Sequence, residues 1–473
     1  MVFPTLSFLV FYLVTWPLAW ATACLKKHAL HKFVIIAASY VFYASWNYKL
    51  ASVLLTSVVF NWFIGRWIYA LRGNGLAKLV VALGVGGNLL ALGFFKYFNF
   101  FIDSLNELLA TLGVAREAPN LDIILPIGIS FFTFQGISYI VDLYRRDLDR
   151  SRPLLDVMMF ISFFPHLIAG PIIRASKFLP QLERIPSPDR VFVSLGVQLV
   201  AWGVFKKAVV ANWLATELVD KVFNTPGAYG GADLLLAIYG YAIQIYCDFS
   251  AYSDIAIGIA ALLGYRFQRN FDQPYRSPTL REFWRRWHIS LSTWLRDYLY
   301  LPLGGSRHGR LRTYLNLFVT MMLGGLWHGA SLNFLVWGML HGGGLAIERL
   351  CSEVTNFSPS KNRLIKGLSI IFVFHFVCLC WIFFRAKDFA RVEEMISGLA
   401  DWSAPTQLLT PFLAILLLLG IAMHFTPRDL LIRGDRVFHR LPVWTIGIAS
   451  GIVLLAIEIL GGDGSAPFIY FQF

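Results

Sequence analysis

Two histidines stand where an imidazole is costly. His288 lies in "FWRRWHISLSTWLRDY" and His328 in "MMLGGLWHGASLNFLVWG", each among apolar neighbours. An ionisable group at membrane depth is a functional candidate by default. Imidazole titrates near neutrality and can take a proton from a hydroxyl. The competing reading is a histidine held by a neighbouring carbonyl, with no chemistry to do. His341, His166 and His308 are weaker candidates. His341 follows His328 by 13 residues and falls on another face if one continuous helix carries both. Asp248 and Asp254 interrupt an apolar run, but a six-residue offset turns them about 120° apart. They therefore form no carboxylate pair, and bonds to Tyr252, Ser253 or an Arg of another helix are the favoured reading. The third kind of group is a phenol. Tyr470 brings one hydroxyl to the tail "FIYFQF", which is otherwise almost wholly apolar.

The elements that must position these groups are membrane helices. The chain has 473 residues, is 57% hydrophobic and only 15% charged, with a mean hydropathy of +0.61. A soluble protein of this size could not bury so much apolar surface. Apolar stretches recur from residue 3 to residue 461, and the length rule predicts about ten to thirteen membrane helices, some broken or re-entrant. The stretch 3–24 lacks a basic start and a clear cleavage site, so it is expected to be the first of them rather than a signal peptide. No internal repeat or long linker divides the chain. One membrane-embedded domain is expected over 1–461, with a tail at 462–473. The five cysteines show no zinc-site spacing and no metal is expected. No phosphate-binding glycine loop or hydrolase motif is present.

The net charge of +13 does not point to nucleic acid, because the basic residues concentrate in short loops between apolar stretches. By the bias of such loops towards the cytoplasm, "CLKKHALHK" and "YRRDLDRSR" are inside and the net-acidic 103–122 is outside. The basic loop 427–440 is then inside, one span follows at 442–461, and the tail emerges outside. Residues 264–312 carry ten Arg, two Asp, one Glu and no Lys, too polar to span. Within them Trp284, Trp287, Leu291, Trp294, Leu295 and Tyr298 share one arc of a predicted amphipathic helix. Arg285, Ser292 and Arg296 share the opposite arc, with His288 at the seam. Such a helix lies in the interface or plugs the inner side of a bundle.

At "EFWRRWHISLSTWLRDYLYLPLGG" and "LGGLWHGASLNFLVWGMLHG" the chain resembles the membrane-bound O-acyltransferases, and most the bacterial branch that acetylates exopolysaccharides such as alginate and cellulose. "ILPIGISFFTFQGISYIVDLYR", "FPHLIAGPI" and "IYCDFSAYSDIAIG" add to the likeness. The resemblance implies an all-α polytopic bundle of the inner membrane with a central tunnel. It matches His328 to the family's invariant histidine and His288 to its second polar position. It also implies acetyl-coenzyme A as a substrate from the cytoplasm, with no tightly bound cofactor. The partners it implies are an exopolysaccharide acceptor, a soluble periplasmic acetyltransferase and membrane lipid. Coenzyme phosphates would suit Arg285, Arg286, Arg296, Arg307 and Arg310, although cytoplasmic bias alone also explains them. "FIYFQF" resembles the F-x-Y-F-x-F end of a small partner in lipoteichoic acid D-alanylation, whose tyrosine carries the acyl group. Tyr470 would then be a fused acetyl carrier. The rival expectations are another acceptor, such as peptidoglycan or teichoic acid, and a polysaccharide-related transporter.

Overall fold

In a computed structural model the described residues are 3, 5–114, 118–187, 193–355, 362–427 and 451. Most of the basic loop at 427–440, the span expected at 442–461 and the tail with Tyr470 lie outside them. Every regular element among the described residues is a helix. Two compact units form, one from residues 1–193 with 259–268 and one from 194–258 with 269–473.

The first unit is built on α1 (Leu6–Cys24), α2 (His28–Ala44), α3 (Leu50–Ala70), α4 (Leu76–Thr111), α5 (Ile129–Arg145) and α6 (Leu154–Ser162). Leu6, Leu9, Val10 and Leu13 of α1 and Phe63 and Trp67 of α3 are exposed. Large apolar side chains turned outward suit a surface solvated by lipid. Apolar burial gives little drive between helices there, so small residues and polar bonds join them. Asn61 of α3 and Asn88 of α4 exchange two side-chain hydrogen bonds, at 2.9 and 3.2 Å, in a buried setting. Trp16 and Trp20 of α1 both donate indole N–H to the carbonyl of Leu262, at 3.0 and 3.1 Å. That carbonyl ends a helix and would otherwise lack a partner.

The second unit opens with α7 (Val193–Asn224) and continues with α8 (Gly231–Leu262), of which 231–258 belong to it. Then come α9 (Leu280–Arg286), α10 (Ile289–Leu295), α11 (Arg310–His328), α12 (Leu332–Thr355), α13 (Arg363–Arg385) and α14 (Pro411–Ala422). α8 is buried along nearly its whole length. Asp254 pairs with Lys206 at 2.6 Å and Asp248 with Lys207 at 2.9 Å. Two consecutive lysines, about 100° apart on their helix, meet two aspartates about 120° apart on theirs. The carboxylates are structural, as the sequence suggests, but their cations are lysines rather than arginines.

Six helices among the described residues are long and apolar enough to cross a membrane. Several stretches in the larger expected set are short or interrupted. α2 and α5 have 17 residues each, about 25 Å at 1.5 Å per residue against a hydrocarbon core of about 30 Å. The stretch 155–175 divides into α6 and Phe164–Leu167. The amphipathic helix expected across 284–298 is also not continuous. It breaks between α9 and α10, and His288 takes a left-handed backbone with φ 42° and ψ 56°.

Candidate active site

His328 is the last residue of α11, and the extended backbone of Gly329 turns the chain back into α12. The α11–α12 hairpin is very close. A Cβ on Gly325 would sit 2.2 Å from the carbonyl oxygen of Phe334, and one on Gly338 would sit 2.5 Å from that of Met321. Glycine at both places lets the helices touch. The hairpin sets the His328 ring 5.1 Å from Trp337 of α12 and 5.2 Å from Phe384 of α13. Trp327 lies between the two sequence candidates, its ring 5.0 Å from that of His328 and 6.2 Å from that of His288. The structure thus gathers His288 and His328 around one indole.

His288 is fully buried. Its Nδ1 lies 3.2 Å from Oδ1 of Asn270. That oxygen also accepts from the backbone N–H of Ser290 at 3.1 Å and from the Ser290 hydroxyl at 2.8 Å. A backbone N–H can only donate, so the Ser290 bond fixes Oδ1 on the side that faces His288, and the Asn270 amide nitrogen donates onward to Ser253 Oγ at 3.1 Å. An amide oxygen can only accept, so Nδ1 of His288 carries the proton and Nε2 carries the lone pair. Nε2 is buried with no hydrogen-bond partner. Burial pushes the imidazole down to about 3, so His288 is neutral at physiological pH. The Phe249 ring edges it at 4.6 Å. A strained backbone and an unspent buried acceptor together mark a working group more than a packing one.

His341 is closer to the site than its spacing implies. The chain breaks after His328, so the two histidines do not share one continuous helix. Both rings pack on Trp337, at 4.9 Å for His341 and 5.1 Å for His328. Trp284 donates its indole N–H to Nδ1 of His341 at 3.3 Å, leaving the proton on Nε2. That Nε2 and the indole nitrogen of Trp337 are buried donors without partners. Trp381 stacks on Trp337 at 5.9 Å and is itself held by the Tyr275 hydroxyl at 3.0 Å. Sequence reasoning missed Asn270 and Trp337. "RNFDQPY" holds no recognisable motif around Asn270, whereas Trp337 stands nine residues after His328 in a segment already singled out.

The other candidates divide cleanly. His166 belongs to the first unit, where its Nε2 donates to the Phe160 carbonyl at 2.9 Å. His308 is exposed. Arg286 is tied to Glu282 and to the Asp272 carbonyl. Arg296 is tied to Asp297 at 2.6 Å and Arg310 to Glu353 at 3.3 Å. Arg285 and Arg307 have no carboxylate partner among the described residues, and both are exposed. Tyr470 lies outside those residues. Among them no three His, Cys, Asp or Glu side chains cluster as metal ligands do.

Ring contacts run from His288 through Trp327 and His328 to Trp337 and His341, and along that chain one acceptor nitrogen and two donors are buried without partners; an imidazole in such a setting can take a proton from a hydroxyl. Comparison with known proteins identifies the family. The family model for the membrane-bound O-acyltransferases matches residues 144–387, which include both histidines. A probable alginate O-acetylase of Pseudomonas putida is 38% identical across the whole of both chains. One of Pseudomonas aeruginosa is 41% identical over 85% of this chain and 76% of its own. A peptidoglycan O-acetyltransferase of Helicobacter pylori is 35% identical over 79% of this chain and 74% of its own. The chain belongs to the membrane-bound O-acyltransferase family and is a multi-pass membrane O-acyltransferase.

Proposed function

We propose that the enzyme takes acetyl from acetyl-coenzyme A on the cytoplasmic side of the inner membrane and delivers it for O-acetylation of an extracytoplasmic exopolysaccharide, alginate or cellulose. A soluble periplasmic acetyltransferase completes the transfer. The observation that carries this reading is the neutral, buried His288, with its tautomer set by Asn270 and Nε2 unspent, one indole away from His328. A hydroxyl attacks the thioester carbonyl, the C–S bond breaks, and the thiolate leaves with a proton as coenzyme A. His328 accepts the proton of the attacking hydroxyl, and Nε2 of His288 accepts a hydrogen bond that orients it. Arg285 and Arg307 hold coenzyme phosphates, because the other three arginines already have carboxylates. The first acceptor is Tyr470, whose acetyl ester is a reactive aryl ester able to pass the group onward.

A peptidoglycan acceptor is the second reading, favoured by the named activity of the Helicobacter relative. Transfer of radiolabel from acetyl-coenzyme A in membranes tests the proposal. Wild type should label polymer and His328→Ala should not, although it inserts normally. His288→Ala should turn over at least about tenfold more slowly, since a lost orienting hydrogen bond of about 1.4 kcal/mol is a decade. Polymer labelled at the normal rate by His328→Ala would overturn the assignment. Separate incubation with alginate, cellulose and peptidoglycan fragments distinguishes the acceptors.

A further inference from the structure

The first unit contains a cavity of about 360 Å³ that the acyl-transfer site does not use. Its wall joins the start of α2 to the 150–153 turn before α6, with Glu183 at the rim. These are two of the loops whose basic residues place them on the cytoplasmic side. Lys32, Arg150 and Arg152 line it against Asp156 and Glu183, a net charge of +1 with histidine counted as neutral.

The carboxylates are committed. Lys32 and Asp156 form a buried ion pair, and Arg152 meets Glu183 at 2.5 Å. The bond from Arg152 holds the Glu183 carboxyl below its ordinary range, so it stays charged. Arg150 is the loosely held cation, 3.5 Å from Glu183 and mostly exposed. The donors are not all spent. Arg152 is buried, yet its Nε has no partner, and Nε2 of His28 is buried without one. No side chain caps the N-terminus of α2 and its first turn holds no acidic residue. Unmet donors, a helix N-terminus and a surplus cation suit one ligand chemistry, a phosphate oxygen cluster carrying about one negative charge.

We propose that this cavity binds a phosphoester group at the cytoplasmic surface, supplied by the headgroup of an anionic phospholipid or by a soluble phosphoester. The lipid source fits a basic pocket at the inner end of membrane helices. The site is separate from the acyl-transfer reading and is tested by binding alone.

The test uses the full chain in detergent, stripped of lipid and followed by native mass spectrometry. Phosphatidylglycerol and phosphatidylcholine are offered at equal concentration, and adenosine 3′,5′-bisphosphate is offered in a separate arm. The double variant His28→Gln with Arg150→Gln removes the His28 ring and the loosely held cation, and leaves the Lys32–Asp156 and Arg152–Glu183 ion pairs intact, so it should melt as wild type does. Wild type should hold phosphatidylglycerol at least tenfold more tightly than phosphatidylcholine, and the variant should lose that preference. Retention of the bisphosphate instead, lost equally in the variant, supports the same site with a soluble source. Equal binding of every probe by wild type and variant overturns the proposal.

Discussion

Asn270 decides what His288 can do. Its one oxygen receives three donors, from His288 Nδ1 and from the Ser290 backbone and hydroxyl. Removing it would leave buried donors unsatisfied, at about 1–3 kcal/mol each. Asn270→Ala should therefore cost at least about tenfold in turnover, since 1.4 kcal/mol is a decade. Asn270→Asp separates positioning from mere packing. A carboxylate facing Nδ1–H favours the imidazolium, so the folded pKa of His288 rises from its present value of about 3. Nε2 of His288 can no longer accept the orienting hydrogen bond once it is protonated, and protonation sets in as pH falls through that pKa. The acid limb of the pH–rate profile should then move to higher pH in Asn270→Asp, while activity above the limb is largely kept. An unmoved limb would make Asn270 a packing residue only. The histidines were legible at this scale because an imidazole among apolar residues is conspicuous. Asn270 was not, since its role comes from a fold that brings it 18 residues back onto His288.

At the scale of elements, long apolar stretches were legible and the breaks within the polar ones were not. α8 was readable from its length and apolarity despite its three aspartates. The interruption between α9 and α10 carries no Gly or Pro at Trp287–His288, so nothing local announces it. Tertiary bonds make it. The Asn270 carbonyl accepts from the Ile289 N–H at 2.9 Å and Oδ1 accepts from the Ser290 N–H, so a remote residue caps α10. Most of the predicted apolar arc survives the break, with Trp284, Trp287, Leu291, Trp294 and Leu295 buried and Tyr298 half-buried. The α11–α12 hairpin is the other element on which the site depends. At Gly338 any side chain would run into the backbone of Met321 and Met322. Gly338→Val should cost about 1–3 kcal/mol through overpacking, lowering the melting temperature and displacing Trp337 from His328. Gly343 lies five residues along the same helix with open space at its Cβ position. Gly343→Val should be nearly silent in both assays, and equal effects at the two glycines would refute the close-packing account.

For the whole molecule, charge in the loops and apolarity in the helices were enough to read a multi-pass membrane protein. The number of spans was less legible, because 17-residue helices and divided stretches look alike in a hydropathy profile. From the same loop charges the sequence predicts the C-terminal tail outside, the orientation that a relay through Tyr470 requires. A phenol with an ordinary pKa near 10 attacks a thioester at neutral pH only beside a base, so the proposed relay requires Tyr470 to reach the histidine pair from the outer side. Tyr470→Phe deletes one oxygen and keeps the apolar tail, each of whose large side chains is worth about 1.5–3 kcal/mol when buried. Docking of the tail should survive this change. If Tyr470 carries the acetyl group, the variant should still bind acetyl-coenzyme A but no longer label polymer. Wild type incubated with acetyl-coenzyme A should yield a C-terminal peptide heavier by one acetyl group on Tyr470, and His328→Ala should yield none. Deletion of "FIYFQF" should abolish transfer under either account, through lost burial alone, and so cannot decide between them. Full polymer labelling by Tyr470→Phe would end the relay, and the acetyl group would then pass directly from the thioester to an acceptor hydroxyl held beside His288 and His328.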